Sequence, residues 1–169
     1  MSINIVVAGA TGKMGSEAIK MILREPEFNL VGAIASAKSS GDIGEVIGIG
    51  KVNVSVSHSL EELLATEQVD VLVDLTTPEH VKEHMLSAIR HHVRPVVGTT
   101  GLSPEDIEEI SSLCQEKGIG AIIAPNFAIG AILMMKFAEQ AAKYMPHVEI
   151  IEKHHDQKLD APSGTARKT

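Results

Sequence analysis

The sequence is poor in aromatic residues: three Phe, one Tyr and no Trp among 169 residues. That scarcity argues against base-stacking platforms as a route to nucleic acid. A net charge of −7 points the same way, because a phosphate backbone calls for a basic surface. A single cysteine, Cys114, excludes an intramolecular disulfide and a cysteine-based zinc centre. No apolar run reaches the roughly 18 residues of a membrane span. Met1-Ser2-Ile3-Asn4 does not open like a signal peptide. These absences predict a soluble cytoplasmic protein with no membrane and no nucleic-acid partner.

What is abundant is aliphatic. Hydrophobic residues make up 44% of the chain, supplied by Ile, Val, Leu and Ala, which suits parallel strands buried on both faces. Short apolar runs alternate with longer periodic stretches. Strands are expected at Ile3 to Ala8, Phe28 to Ile34, Val52 to Val56, Val69 to Leu75, Pro95 to Val97 and Gly120 to Ala124. Between them, residues 13–24 carry apolar side chains at helical spacing. Ser59 with Glu62 reads as a capping box, and Thr77-Pro78 and Ser103-Pro104 each place a cap before a first-turn proline. Gly118 suits a left-handed helix end. Residues 35–51, with four glycines and three serines, read as a flexible loop. Strand–helix alternation of this kind predicts a doubly wound α/β fold with a ligand at the carboxyl ends of its strands.

Residues 1–127 complete that dinucleotide-binding domain. Residues 128–169 then offer a hinge helix at about 130–144 and a seventh strand at 148–152, followed by Ser163 as the cap of a further helix. They read as the start of a second domain that these residues do not complete. The expectation is a chain that stops part-way through it, as a fragment or with its last strand paired elsewhere.

Gly9-Ala10-Thr11-Gly12-Lys13-Met14-Gly15 follows the first strand and opens the first helix. Glycines there allow a tight turn and close approach of a pyrophosphate to the helix N-terminus. The second strand ends in Ala35-Ser36-Ala37-Lys38, without the acid that NAD-selective sites use for the ribose 2′-hydroxyl. Ser36, Lys38 and Lys13 instead suit a 2′-phosphate, which favours NADP(H). Gly98-Thr99-Thr100-Gly101 and Ala124-Pro125-Asn126-Phe127 lie at later strand ends, where Thr and Asn can hydrogen-bond a nicotinamide carboxamide. Asp74-Leu75-Thr76-Thr77 is a further turn of this kind.

The densest chemistry lies in Glu152 to Thr165. His154, His155 and Lys158 form a cationic, proton-donating cluster. Ser163-Gly164-Thr165 opens a helix and forms an anion site. Two separated anchors point to a dicarboxylate. No metal is expected, because adjacent histidines usually diverge. His80 and His84 stand at i, i+4 without an evident third ligand and read as surface or interface residues, and Cys114 reads as a core thiol.

Glu152-Lys153-His154-His155-Asp156-Gln157-Lys158-Leu159-Asp160-Ala161-Pro162-Ser163-Gly164-Thr165 resembles the E-x-H-H-x-x-K-x-D-A-P-S-G-T signature of the 4-hydroxy-tetrahydrodipicolinate reductase family, also called dihydrodipicolinate reductase. The glycine loop, Gly98 to Gly101 and Ala124 to Phe127 fall in that family's order. The resemblance implies a homotetrameric enzyme of lysine and diaminopimelate synthesis that reduces a small cyclic dicarboxylate with NADPH or NADH. It further implies His154 and Lys158 as the catalytic pair, and His155, Lys158, Gly164 and Thr165 at the substrate carboxylates. Gly9, Gly12, Lys13, Met14, Gly98, Thr100, Ala124 and Phe127 fall at cofactor contacts. The family is longer than this chain, so the resemblance implies that residues 128–169 begin a second, α+β domain for substrate binding and tetramerisation, and the family often carries an acid near Ser36. The rival readings are another Rossmann-type oxidoreductase of amino-acid metabolism, for example one acting on aspartate semialdehyde, and a non-catalytic nucleotide-sensing domain. The first needs a nucleophilic thiol at a strand end, where Cys114 does not lie, and the second has no use for the His154 to Thr165 cluster.

Overall fold

Ile3–Ala8 (β1) is the central strand of the sheet, and its neighbours follow from its burial: Val6, Val7 and Ala8 are fully enclosed. The structure is a computed structural model describing residues 2–124, 126–145, 147–154, 162, 163, 165, 166 and 169. It divides into two compact units, Met1–Ile123 and Ala124–Thr169.

In the first unit β1 leads into Lys13–Arg24 (α1), Phe28–Ile34 (β2), Ile43–Val46 (α2) and Val56–Ser57 (β3). Leu60–Thr66 (α3), Val71–Asp74 (β4), Pro78–Arg90 (α4), Arg94–Val97 (β5), Pro104–Lys117 (α5) and Ile122–Ile123 (β6) follow. The six strands are all parallel in the order β3-β2-β1-β4-β5-β6. This is the Rossmann order, and it reverses between β1 and β4, which is where a ligand crevice is expected. Helices cover both faces. Val6, Ala8 and Leu72 pack with Leu60 and Leu64 of α3 and Ala88 of α4. On the other face Ile5, Val7 and Ala33 pack with Ile19 and Ile22 of α1. Full burial of a side chain such as Ile19 or Ile22 contributes roughly 1.5–3 kcal/mol.

Helix ends follow their local chemistry. Ser103 and Asp106 form a reciprocal capping box, and Gly118 closes α5 at φ +64°. Ser59 Oγ accepts from the Glu62 amide at 3.2 Å, whereas Thr77 caps α4 without a side-chain hydrogen bond.

Two sequence expectations are corrected in this unit. Val52 to Val56 is no strand, and β3 begins only at Val56. Asn53 takes a left-handed φ of +61°, which breaks the extended run. The Val52 amide donates to Asp42 Oδ1 at 3.0 Å, away from the sheet. Residues 35–51 are likewise more than a loop. Asp42 Oδ1 also accepts from the Gly44 amide, starting α2, and Ile43 is fully buried against the β1–β2 face.

In the second unit, Ile129–Ala142 (α6) accounts for the expected hinge helix. The expected seventh strand is absent: residues 148–152 take no strand structure. A strand needs a hydrogen-bonded neighbour, and none pairs with this segment among the described residues. Thr165 and Ala166 are helical, and Ser163 Oγ accepts from the Ala166 amide at 3.1 Å, the cap expected of it.

Candidate functional site

The glycine loop meets the sheet at its switch point. Gly9 holds φ +78°, and a methyl there would strike the Leu75 backbone. A methyl on Gly15 would strike the backbone of Gly9. The Gly9 and Ala10 amides both donate to the Ile34 carbonyl at 3.0 Å, pinning the loop to the end of β2. Gly12 caps α1 with no side-chain hydrogen bond, and the first turn carries no acid. The amides and positive potential of that helix start are therefore not neutralised by its own side chains.

Beside this loop lies a cleft of about 640 Å³, a size common for ligand sites. Gly9, Thr11 and Gly12 form one wall, Ile34 to Ala37 with Ser36 another, and Leu75 to Thr77 a third. His58, His80 and His84 complete it. A glycine cradle, a helix start without acid and an acid-free end of β2 fit a dinucleotide phosphate.

Other expected contacts stand apart from this lining. Lys13, Met14 and Lys38 are exposed, and none of them lines the cleft. Thr100 is exposed, and Gly98 donates its amide to the Asp74 carbonyl at 2.9 Å. Thr99 is buried, and its hydroxyl donates to Asp74 Oδ1 at 2.6 Å. That bond turns the Thr99 side chain inward, onto Asp74.

Asp74 is a residue that sequence reasoning undervalued. It ends β4 fully buried, and accepts from the Thr76 amide at 3.1 Å, Thr76 Oγ1 at 2.7 Å and His84 Nδ1 at 2.7 Å. Burial pushes its carboxyl up, and the hydrogen bonds from His84, Thr99 and Thr76 together outweigh that and hold it below its ordinary value. His84 in turn stacks on His80, with ring centroids 5.8 Å apart. His84, expected at the surface or an interface, instead joins a buried carboxylate to the cleft. The available signal was a lone acid closing the aliphatic run Val71-Leu72-Val73. Cys114, as expected, packs beside the α4–α5 core, and burial raises its thiol.

In the second unit a hollow of about 440 Å³ brings together Asn126, His154, Ser163 and Thr165. Asn126 Nδ2 donates to Thr165 Oγ1 at 3.1 Å. The Ser163 amide donates to Glu152 Oε1 at 2.9 Å, and Glu152 Oε2 stands 3.7 Å from His154 Nδ1. A carboxylate thus rests on the helix start where an anion site was expected. Ala124 lies at the start of this unit, and Phe127 is exposed. His155, Lys158 and Gly164 lie outside the described residues. Among the described residues no group of three metal-ligating side chains converges. No helix among them is long and apolar enough to cross a membrane.

Comparison with known proteins agrees with both units. Residues 3–127 match the family model for the dihydrodipicolinate reductase N-terminus and residues 130–169 that for its C-terminus. The chain is 57% identical over 167 residues to 4-hydroxy-tetrahydrodipicolinate reductase of Halalkalibacterium halodurans, covering 99% of this chain and 63% of that protein. It is 54% identical over 168 residues to the reductase of the same name from Bacillus subtilis, covering 99% of this chain and 62% of that one. The dipicolinate-bound dihydrodipicolinate reductase of Paenisporosarcina sp. TG-14 superposes with a TM-score of 0.79 at 46% identity, over 99% of this chain and 64% of that one. The chain thus spans a little under two thirds of the length of the relatives it matches. With both family models matched and a glycine-lined cleft at the Rossmann switch point, the chain belongs to the dihydrodipicolinate reductase family.

Proposed function

We propose that this chain serves the reduction of 4-hydroxy-tetrahydrodipicolinate to tetrahydrodipicolinate, in lysine and diaminopimelate synthesis, with NADPH preferred over NADH. The observation that carries this reading is the glycine cleft, in a chain 57% identical to a reductase of that name. The first-turn amides of α1 bind the pyrophosphate, and Gly9 and Gly12 allow the backbone to reach it. Ser36 in the cleft wall, with Lys38 beyond it, accepts a 2′-phosphate where an acid would repel one. Gly98, Thr100, Ala124 and Phe127 supply further cofactor contacts, as the family resemblance implies.

When bound, the nicotinamide cofactor supplies a hydride for an electron-poor ring carbon of the substrate. His154 and Lys158 handle the matching proton. The carboxylate of Glu152, 3.7 Å from His154 Nδ1, flanks that edge of the ring, and Nε2 is the edge offered to the substrate. His155, Lys158, Gly164 and Thr165 hold the substrate carboxylates, and Asn126 orients Thr165 through its hydroxyl. The relative solved with dipicolinate supports a cyclic dicarboxylate as the ligand class. The working enzyme is a cytoplasmic homotetramer.

Complementation tests this reading. In bacteria lacking their own reductase, a protein containing this chain restores growth without added diaminopimelate. Failure to restore growth by a stably expressed protein contradicts it.

A further inference from the structure

Among the described residues Asp74 is the only buried charged side chain, and the proposed chemistry makes no use of it. A carboxylate survives in a core only when its lone pairs are answered. Here they are answered from three segments at once: the turn after β4 through Thr76, the turn after β5 through Thr99, and α4 through His84. An apolar side chain would fill the end of β4 without needing any of these partners. What the carboxylate adds is orientation. An ionised carboxylate only accepts, so the proton of the His84 ring sits on Nδ1. In its neutral form the ring then carries a lone pair on Nε2, its opposite edge, and Nε2 takes no hydrogen bond among the described residues. The same imidazole lines the cleft beside Gly9 and Thr76.

We propose that Asp74 is a positioning residue for the dinucleotide cleft. Through His84 it fixes an imidazole that offers Nε2 as acceptor to a hydrogen-bond donor of the bound nucleotide. Through Thr99 it fixes the Gly98–Gly101 turn. This rests on the reading of the cleft as a dinucleotide site.

The test combines His84 nitrogen chemical shifts with titration of NADPH, followed by its fluorescence, on the wild type, Asp74→Asn and His84→Asn. The wild type shows the Nδ1–H tautomer. Asp74→Asn inverts it, because the amide presents N–H to the ring. His84→Asn keeps a donor for Asp74 but lacks the Nε2 acceptor. Its melting temperature stays near that of the wild type while NADPH binding weakens about tenfold, as loss of one hydrogen bond would give. Asp74→Asn weakens binding on the same scale. If Asp74→Asn does not fold, the wild-type tautomer and His84→Asn decide. An Nε2–H tautomer in the wild type, or wild-type affinity in His84→Asn, overturns the proposal. A wild type that binds no dinucleotide contradicts the proposed function and this role together, whereas binding that the variants leave unchanged contradicts this role alone.

Discussion

Asn126 and Thr165 stand 39 residues apart in sequence and meet side chain to side chain, Nδ2 to Oγ1, at 3.1 Å. The bond joins the residues just before α6 to the helical residue Thr165 within the second unit. Asn126 Oδ1 also accepts from the Ala128 amide at 2.8 Å, which orients the amide group. Two stretches that read as separate constellations therefore act as one. A double-mutant cycle of Asn126→Ala and Thr165→Val, followed by urea unfolding, should give a coupling of about 0.5–1.5 kcal/mol. Strict additivity would show that the two side chains do not support each other.

The glycine loop depends on two backbone approaches. Gly9→Ala combines a left-handed φ of +78° with a methyl driven into the Leu75 backbone. It should cost about 3 kcal/mol or more and lower the melting temperature by roughly 6–12 °C. Gly120→Ala meets nothing within 4 Å and should shift stability by about 0.5 kcal/mol or less. Equal effects in thermal unfolding would remove the steric reading of the loop.

Cofactor preference turns on the end of β2. Introducing an acid by Ser36→Asp gives an acceptor for a ribose 2′-hydroxyl and a repulsion for a 2′-phosphate. The ratio of NADPH to NADH affinity should fall by about tenfold or more. Fluorescence titration with each dinucleotide measures it, and an unchanged ratio would place 2′-recognition elsewhere.

Acid stability reports the link between α4 and α5. The Lys82 ammonium, 2.7 Å from Asp106, lowers that carboxyl to about 2 from 3.8, with help from the Ser103 amide. A depressed carboxylate contributes stability that is complete above its unfolded value and disappears as pH falls through its folded one. Asp106→Asn should therefore be less stable than the wild type near neutral pH, with the gap closing between about 3.8 and 2. Urea midpoints across that range test it, and a gap that persists below it would assign the effect to packing.

Much of the first unit was legible from local chemistry. Aliphatic runs marked β1 and β2, and Ser103-Pro104 with Gly118 bounded α5, because burial and capping act over a few residues. Val52 to Val56 misled because alternation is necessary for a half-buried strand but not sufficient. Asn53 and the pull of Asp42 on the Val52 amide outweigh it. The 148–152 segment has strand-like side chains but no paired neighbour among the described residues.

The candidate site divides in the same way. The Gly9 to Gly15 loop is visible because its function rests on glycine spacing along the chain. The contact of Asp74 with His84 is not, because the two residues sit on different elements and only the packing of α4 against β4 brings them together. Sequence spacing linked His84 to His80 on one helix, and the stack between their rings is real. It could not show that a buried acid stood behind them.

The reductase assay is the most direct measurement. A protein containing this chain is supplied with substrate made in place by dihydrodipicolinate synthase, and NADPH loss is followed against a control without the synthase. Substrate-dependent oxidation of NADPH is expected, falling at least about a hundredfold when His154 and Lys158 are both replaced by alanine. No oxidation above the control, or oxidation that survives the double replacement, would contradict it.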